Sequence, residues 1–156
     1  MAALIAYATK HGFTKNCAQE LQKRLQGGAD LWDLKSGRPD LSKYDRVILG
    51  SAVYIGQARK EMKEFIAAEK DELAKKQLGL FLCCTREGAE AKNQMDFAYP
   101  VELRNAAKAQ GFLGGAYDFG KMGFFEKMIV KKVAGVKEST TIWQKDALEK
   151  FVQDMA

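Results

Sequence analysis

The residues whose types and spacing best suit chemistry lie together near the N-terminus, in the stretch Tyr7-Ala8-Thr9-Lys10-His11-Gly12-Phe13-Thr14. This stretch places two hydroxyls and a glycine where an apolar segment gives way to a helical pattern. Backbone amides at the start of a helix lack intrahelical acceptors, and the helix dipole favours an anion there. The stretch therefore predicts a phosphate-binding turn, in which Thr9 and Thr14 add hydrogen bonds and Gly12 lets the backbone curl closely.

A turn of this composition is also compatible with roles that involve no mononucleotide. The two threonines could simply cap the helix by satisfying its free amides. The chain contains neither GxGxxG nor GxxxxGK[ST], the patterns that indicate a dinucleotide and a nucleoside triphosphate. A response-regulator receiver domain needs acidic residues at the ends of its first and third strands, where this chain has Ala-Thr and Gly-Ser.

Apolar runs alternate with helical patterns along the whole chain. The predicted strands are Ala2 to Ala8, Ala29 to Leu34, Arg46 to Val53, Leu78 to Cys84 and Phe112 to Phe119. The predicted helices run from Gly12 to Gly27-Gly28, over Met62 to Glu69, over residues 94 to 110 up to Gly111, and over Leu148 to Met155. Alternation of this kind predicts one α/β domain spanning 1–156, with a parallel sheet covered on both faces. Ligands of such a sheet bind at the carboxyl ends of the strands, which here means loops 8–14, 51–57, 84–94 and 118–123.

Composition and charge exclude several classes of function. Much of the net charge of +5 comes from residues 121–137, which hold five lysines and one acidic residue, whereas a general nucleic-acid binder would spread its basic residues along a face. The three cysteines, Cys17, Cys83 and Cys84, have no metal-ligand spacing and indicate no disulfide framework. No nucleophile and histidine set or carboxylate pair lies at a predicted loop, so we expect no catalytic side chain and no metal. Without a leader or a membrane-spanning run, we expect the protein in the cytoplasm.

The segment from Ile5 to Thr14, followed by Ala18 and Leu21, resembles the signature of the flavodoxin family. The resemblance implies a flavodoxin-like three-layer sandwich, in which a five-stranded parallel sheet of order 2-1-3-4-5 carries helices on both faces. It also implies non-covalent binding of FMN, with Thr9, Gly12 and Thr14 around the phosphate. Lys10, His11 and Phe13 belong to the same loop, and His11 is either a solvated loop residue or a contact to the phosphate or flavin.

Two further loops are similar to the flavodoxin segments that hold the flavin ring. The stretch Tyr44 to Gly56 is similar to the strand and loop that touch the isoalloxazine, which implies ring contacts from Ala52, Val53, Tyr54, Ile55 and Gly56. The alternative for Tyr54 and Ile55 is ordinary loop packing. The loop Cys84-Thr85-Arg86-Glu87-Gly88 is expected at the pyrimidine edge, where its amides bond the ring and an inward Arg86 would stabilise the reduced flavin. The alternatives are a solvated Arg86 and cysteines that act as small apolar residues.

The chain also resembles the flavodoxin branch that contains the menaquinone-dependent protoporphyrinogen dehydrogenases. Gly114 to Tyr117 and Phe124 to Ile129 look like the basic, aromatic-rich segment that this branch carries before its last helix. Residues 121–134 would then form a basic, apolar lip that accepts a quinone, a porphyrin carboxylate, an acidic redox partner or an anionic membrane surface. The alternative is a helix packed over the edge of the sheet, with solvated lysines.

Three functions remain open from the sequence. The first is an electron-transfer flavoprotein that docks larger redox enzymes, and the second is an FMN-dependent oxidoreductase of the protoporphyrinogen dehydrogenase kind. The third, a flavin-free interaction scaffold, is the least favoured. The sequence does not indicate an oligomeric state.

Overall fold

A parallel sheet forms the centre of the protein in the computed structural model, which describes residues 3–9, 12–54, 57–83, 88–117, 128 and 140–155. The strands are β1 Ala3–Ala8, β2 Ala29–Asp33, β3 Arg46–Tyr54, β4 Gln57–Ala58, β5 Gln77–Cys83, β6 Ala107–Phe112, β7 Gly114–Tyr117 and β8 Thr140–Trp143. The helices are α1 Phe13–Arg24, α2 Lys60–Ala74, α3 Gly88–Ala98, α4 Val101–Ala106 and α5 Lys145–Met155. Single 3₁₀ turns span Leu34–Ser36 and Leu41–Lys43.

Five of these strands are parallel and follow the order β2-β1-β3-β5-β6. Counted along the chain, the order is 2-1-3-4-5, as the flavodoxin resemblance implied, and that prediction is confirmed. The strand β1 lies between two partners, so that Ile5 is opposite Leu31 on one side and Ile48 on the other. Its six residues are all buried, which explains why its sequence is apolar without alternation.

The core is divided by the sheet into two layers. On one face, Leu4, Ala6 and Ala8 of β1 pack in a cluster with Met62 and Phe65 of α2. On the other face lies a second cluster, which contains Ile5, Tyr7, Cys17, Leu21 and Phe151. Helices therefore cover both faces, with α2 and α4 on one and α1 and α5 on the other.

One glycine allows an aromatic ring to lie directly on the sheet. A Cβ atom at Gly50 would lie 1.9 Å from the Cζ atom of Phe81, so no larger residue fits in β3 at this point. The Phe81 ring meets Phe151 of α5 edge to face, with centroids 6.0 Å apart. This close approach ties the terminal helix to the centre of the sheet.

The predicted helix over residues 94 to 110 and the predicted strand Phe112 to Phe119 are wrong in their bounds. The helix α3 ends at Ala98, α4 follows Pro100, and the fifth parallel strand is β6, so Gly111 lies inside a strand. The break occurs because Tyr99 is buried and its hydroxyl donates to the carbonyl oxygens of Phe81, at 2.8 Å, and Leu49, at 3.2 Å. The proline then starts a new helix, since its missing N–H costs nothing in a first turn.

The chain leaves the sheet after Leu113, at the end of β6, and Gln144 brings it back into contact with Leu113. The Leu113 amide donates to Leu82 at 3.1 Å, and the Gln144 amide donates to the Leu113 carbonyl at 3.2 Å. Between these points β7 and β8 pair antiparallel, from Gly114 opposite Trp143 to Tyr117 opposite Thr140. The predicted basic segment 121–134 falls between β7 and β8 in the sequence and, apart from the exposed Met128, is outside the described residues.

Candidate functional site

The turn from β1 into α1 is held by a threonine and a glycine. The Thr9 hydroxyl accepts a hydrogen bond from the Gly12 amide at 2.9 Å. Gly12 has a φ angle of 97°, in the left-handed region that side chains with a Cβ rarely adopt. None of the described atoms lies within 4 Å of the position that a Cβ of Gly12 would occupy. The described residues therefore leave the space above the turn open. Lys10 and His11 lie outside the described residues.

The N-terminus of α1 is open toward this space. No side chain of the described ranges caps it, and its first turn contains no acidic residue. The Gly12 carbonyl accepts from the Asn16 amide at 3.1 Å, so the amides of Thr14 and Lys15 precede the regular pattern of helical bonds. Together with the helix dipole, these donors make the turn suited to an anion.

The side chain of Thr14 is the most informative polar group in this region. It is completely buried, and its Oγ1 atom makes no hydrogen bond of acceptable geometry within the part of the chain that the structure describes. It lies close to the Cys83 thiol, whose pKa is raised well above its usual value, first by burial, and the proximity of Thr14 offsets only part of that rise. A buried hydroxyl without a partner costs about 1–3 kcal/mol, so this group is suited to a partner from outside the described residues, such as a bound ligand. Simple helix capping does not explain it.

The second predicted loop begins as an extension of β3. Ala52 and Val53 are half-buried, and β3 continues to Tyr54 and folds back so that Val53 lies opposite Ala58 of β4. Ile55, Gly56 and the side chain of Tyr54 lie outside the described residues.

A buried serine that the sequence did not single out fixes the end of this hairpin. The Ser51 hydroxyl accepts from the Arg59 amide at 3.0 Å and donates to the Ala52 carbonyl at 3.0 Å. The first bond spans eight residues and sets where α2 begins, because Arg59 immediately precedes that helix. Nothing in the local sequence predicts it, because the hairpin must form first.

The third predicted loop leaves the end of β5. Cys83 is the last residue of that strand, Cys84 to Glu87 lie outside the described residues, and Gly88 is the first residue of α3. Register brings the three loops together, because Ala8 lies opposite Ser51 and Ala52 lies opposite Cys83. The predicted loops therefore leave the sheet at adjacent positions on one edge.

The ionisable groups under this edge stay neutral. Burial raises the pKa of Tyr7, and the Asp33 carboxylate raises it further. Burial, followed by the hydrogen bond to Cys17 and the charge of Cys17, raises the pKa of the Cys83 thiol well above its usual value. The pKa of Tyr99 is also raised well above its usual value, first by burial. Tyr7 and Tyr99 therefore keep their protons at neutral pH, and the Cys83 thiol forms only a little thiolate there.

Two other kinds of site are missing from the described ranges. Within them, no three His, Cys, Asp or Glu side chains come together as metal ligands would. No helix in those ranges is long and apolar enough to cross a membrane. The amides at the start of α1 remain the feature of this edge that is best suited to an anionic ligand.

Comparison with known proteins gives one family. The family model described as flavodoxin domain matches residues 4–142. No protein in the curated comparison matches the chain.

Several solved structures share the fold at low sequence identity. The flavodoxin, WrbA-like protein from Agrobacterium tumefaciens is 15% identical with a TM-score of 0.59, covering 99% of this chain and 92% of its own. Oxidised flavodoxin 1 from Bacillus cereus is 15% identical with a TM-score of 0.56, covering 99% and 95%. A mutant Fusobacterium nucleatum flavodoxin bound to flavin mononucleotide is 15% identical with a TM-score of 0.53, covering 99% and 92%.

Proposed function

This chain belongs to the flavodoxin domain family, and we propose that it binds FMN non-covalently and transfers electrons through it. Family membership supports FMN as the cofactor, and a structural neighbour from Fusobacterium nucleatum is bound to it. When bound, FMN supplies both one-electron and two-electron chemistry, so the protein needs only to hold it and to expose one edge. The observation that carries the proposal is the buried, unpartnered hydroxyl of Thr14 at the uncapped start of α1, within the described part of the chain.

The phosphate grip follows from the chemistry of each donor. Thr9 already accepts from the Gly12 amide, so the hydrogen of its hydroxyl is left to donate to a phosphate oxygen. Thr14 contributes a second hydroxyl, and the amides of the first turn of α1 contribute the rest. We expect Lys10 and His11 to complete the loop, and Phe13, the first residue of α1, to lie beside it. The first turn of α1 contains no acidic residue, so no carboxylate of that turn repels the anion.

The ring is expected beside the other two loops. Ala52 and Val53 lie on the strand next to β1, and Tyr54, Ile55 and Gly56 follow them. The loop Cys84, Thr85, Arg86, Glu87 and Gly88 would meet the opposite edge of the ring. The register of β1, β3 and β5 supports this arrangement, because it places the origins of all three loops side by side.

A comparison of FMN with riboflavin tests the proposal, because the two ligands differ only by the phosphate. Titration of the flavin-free protein should give much tighter binding of FMN. Thr14→Val keeps the shape of the side chain and should weaken FMN binding about tenfold or more, since a hydrogen bond to a charged group contributes about 1.5–3 kcal/mol. Riboflavin affinity should not change. The flavin-free variant should be at least as stable as the wild type, because it no longer buries an unpartnered hydroxyl.

The matched control is Ser42→Ala, which removes an exposed hydroxyl just before β3, at the opposite edge of the sheet. It should leave both affinities unchanged. If Thr14→Val binds FMN as tightly as the wild type does, the phosphate lies elsewhere and the proposed grip is wrong. If the wild type binds neither ligand, the chain is the flavin-free scaffold that the sequence left open.

We propose an acid-faced redox protein as the partner, because residues 121–137 carry five lysines and one acidic residue. The second candidate function is an enzyme of the protoporphyrinogen dehydrogenase kind, which would use a quinone as acceptor. It is favoured by the pairing of β7 with β8, which brackets the basic segment between them. An anaerobic assay with protoporphyrinogen and a menaquinone analogue separates the two. Turnover that is lost when the lysines of 121–134 are neutralised identifies the enzyme, and no turnover with any quinone favours the carrier.

A further inference from the structure

Two buried cysteines meet directly beneath the proposed phosphate turn. Cys17 lies in the second turn of α1, and Cys83 is the last residue of β5. Their sulfur atoms are 3.5 Å apart, and the Cys83 thiol donates a hydrogen bond to the Cys17 sulfur. The two residues are 66 positions apart in the sequence, so the fold alone brings them together.

We propose that Cys17 and Cys83 form a redox-active dithiol pair that a hydroperoxide oxidises to an intramolecular disulfide joining α1 to β5. A disulfide bond is about 2.05 Å long, so the sulfurs must approach each other by roughly 1.5 Å. Cys17 is 0% exposed and Cys83 is 4% exposed, and such burial disfavours bulky or charged oxidants. Hydrogen peroxide is neutral and close to water in size, and it fits this constraint.

The chemistry of the pair balances with one peroxide. The Cys83 thiol, which is the more exposed, loses its proton and attacks one peroxide oxygen; the O–O bond breaks, a sulfenic acid forms and water leaves. The Cys17 sulfur then attacks the sulfenic sulfur, the S–O bond breaks, and the hydroxyl leaves as a second water with the Cys17 proton. The two sulfurs together give up two electrons to the peroxide. Because burial raises the pKa of Cys83, little thiolate is present at neutral pH and the first step is slow.

The bond would constrain the turn that precedes it. Thr14 lies three residues before Cys17 on the same helix, and its hydroxyl lies close enough to Cys83 to affect that thiol. The disulfide therefore fixes the first turn of α1 against the end of β5. Any effect of this on FMN rests on the proposed function, whereas formation of the bond does not.

The experiment maps the oxidised cysteines in the folded protein. The reduced chain, with and without added FMN, is treated with hydrogen peroxide, quenched with catalase, unfolded, alkylated and analysed by mass spectrometry as intact protein and as peptides. The chain has three cysteines, so the expected product carries one alkyl label, on Cys84, and a cross-link between the peptides of Cys17 and Cys83. Dithiothreitol should restore all three sites of labelling.

Variants keep the result interpretable. Cys84→Ala should still form the cross-link and carry no label, whereas Cys17→Ala and Cys83→Ala should each keep both of their remaining thiols. A cross-link between Cys83 and Cys84 or between Cys17 and Cys84 overturns the proposal. The proposal is also overturned if all three cysteines of the folded wild type are alkylated after a peroxide treatment that oxidises the cysteines of the same chain in urea. A protein that forms the cross-link but binds no FMN contradicts the proposed function only, and one that binds FMN without the cross-link contradicts only this inference.

Discussion

Two helices begin at the same edge of the sheet, and their first turns differ in charge. The start of α2, the closed start, carries an acid: Glu61 lies in its first turn, 3.7 Å from the Arg59 side chain, and the Ser51 hydroxyl accepts from the Arg59 amide. At the start of α1, the open start, the Thr9 hydroxyl accepts from the Gly12 amide in the same way, but the first turn contains no acidic residue. A first turn that carries no acid, next to one that does, is the better candidate for binding an anion.

Removing both hydroxyls of the open start should have the largest effect. Replacing Thr9 and Thr14 together by Ala is expected to weaken FMN binding by about 2–4 kcal/mol, the sum of a few charge-assisted hydrogen bonds. The affinity of the flavin-free protein for FMN, measured by fluorescence titration, checks this. Riboflavin is the control ligand, and a parallel loss of riboflavin affinity would mean that the variant has lost the fold of the turn rather than the phosphate contacts.

Removing the hydroxyl that binds the closed start should affect stability instead. Ser51→Ala leaves the Arg59 amide without its acceptor, and we expect the free energy of unfolding to fall by about 1–3 kcal/mol. Urea unfolding of the flavin-free protein measures the change. Once corrected for the lower stability, the preference for FMN over riboflavin should be unchanged. Loss of that preference would place Ser51 in the phosphate site and remove the contrast between the two helices.

The backbone of the open start can be tested separately from its side chains. Gly12→Ala forces a Cβ into a left-handed conformation and should cost about 1–2 kcal/mol of stability. Gly28→Ala is the matched control, since Gly28 has a φ of 83° and similarly open space but precedes β2 at the other edge. Both variants should lose stability to a similar degree, and only Gly12→Ala should also weaken FMN binding. Equal effects on FMN would show that the turn has no special role.

The sequence predicted the turn from β1 into α1 because the determinants of that turn are local. Thr9, Gly12 and Thr14 lie within six residues, at the junction of a strand with a helix, and that spacing carries the information. The strand order was also predictable, but it came through the family resemblance rather than through the pattern of residues.

The closed start and the fifth strand depend on contacts that the local pattern does not contain. Ser51 finds Arg59 only after the chain folds back through β4, and Tyr99 ends α3 because its hydroxyl reaches carbonyls of β3 and β5. In β6, Ala109 is buried between the exposed Lys108 and Gln110, an alternation too short to distinguish from a helix in the sequence. The meeting of Cys17 with Cys83 across 66 positions is unpredictable for the same reason.

Adding an acid to the first turn of α1 and removing the acid from the first turn of α2 should have the smallest effects. These changes are the most direct test of the difference between the two helix starts. Lys15→Glu places an acid in the first turn of α1 and should stabilise the flavin-free protein by about 0.3–1 kcal/mol, because it interacts favourably with the helix dipole. The same carboxylate should weaken FMN binding by repelling the phosphate. Glu61→Gln removes the acid from α2 and should destabilise the protein by a similar amount without changing FMN affinity. Lys15→Gln is the control that separates loss of the lysine from gain of the acid, and salt should diminish each stability change.

If Lys15→Glu binds FMN as tightly as Lys15→Gln does, the start of α1 does not face the phosphate, and its open first turn serves some other purpose.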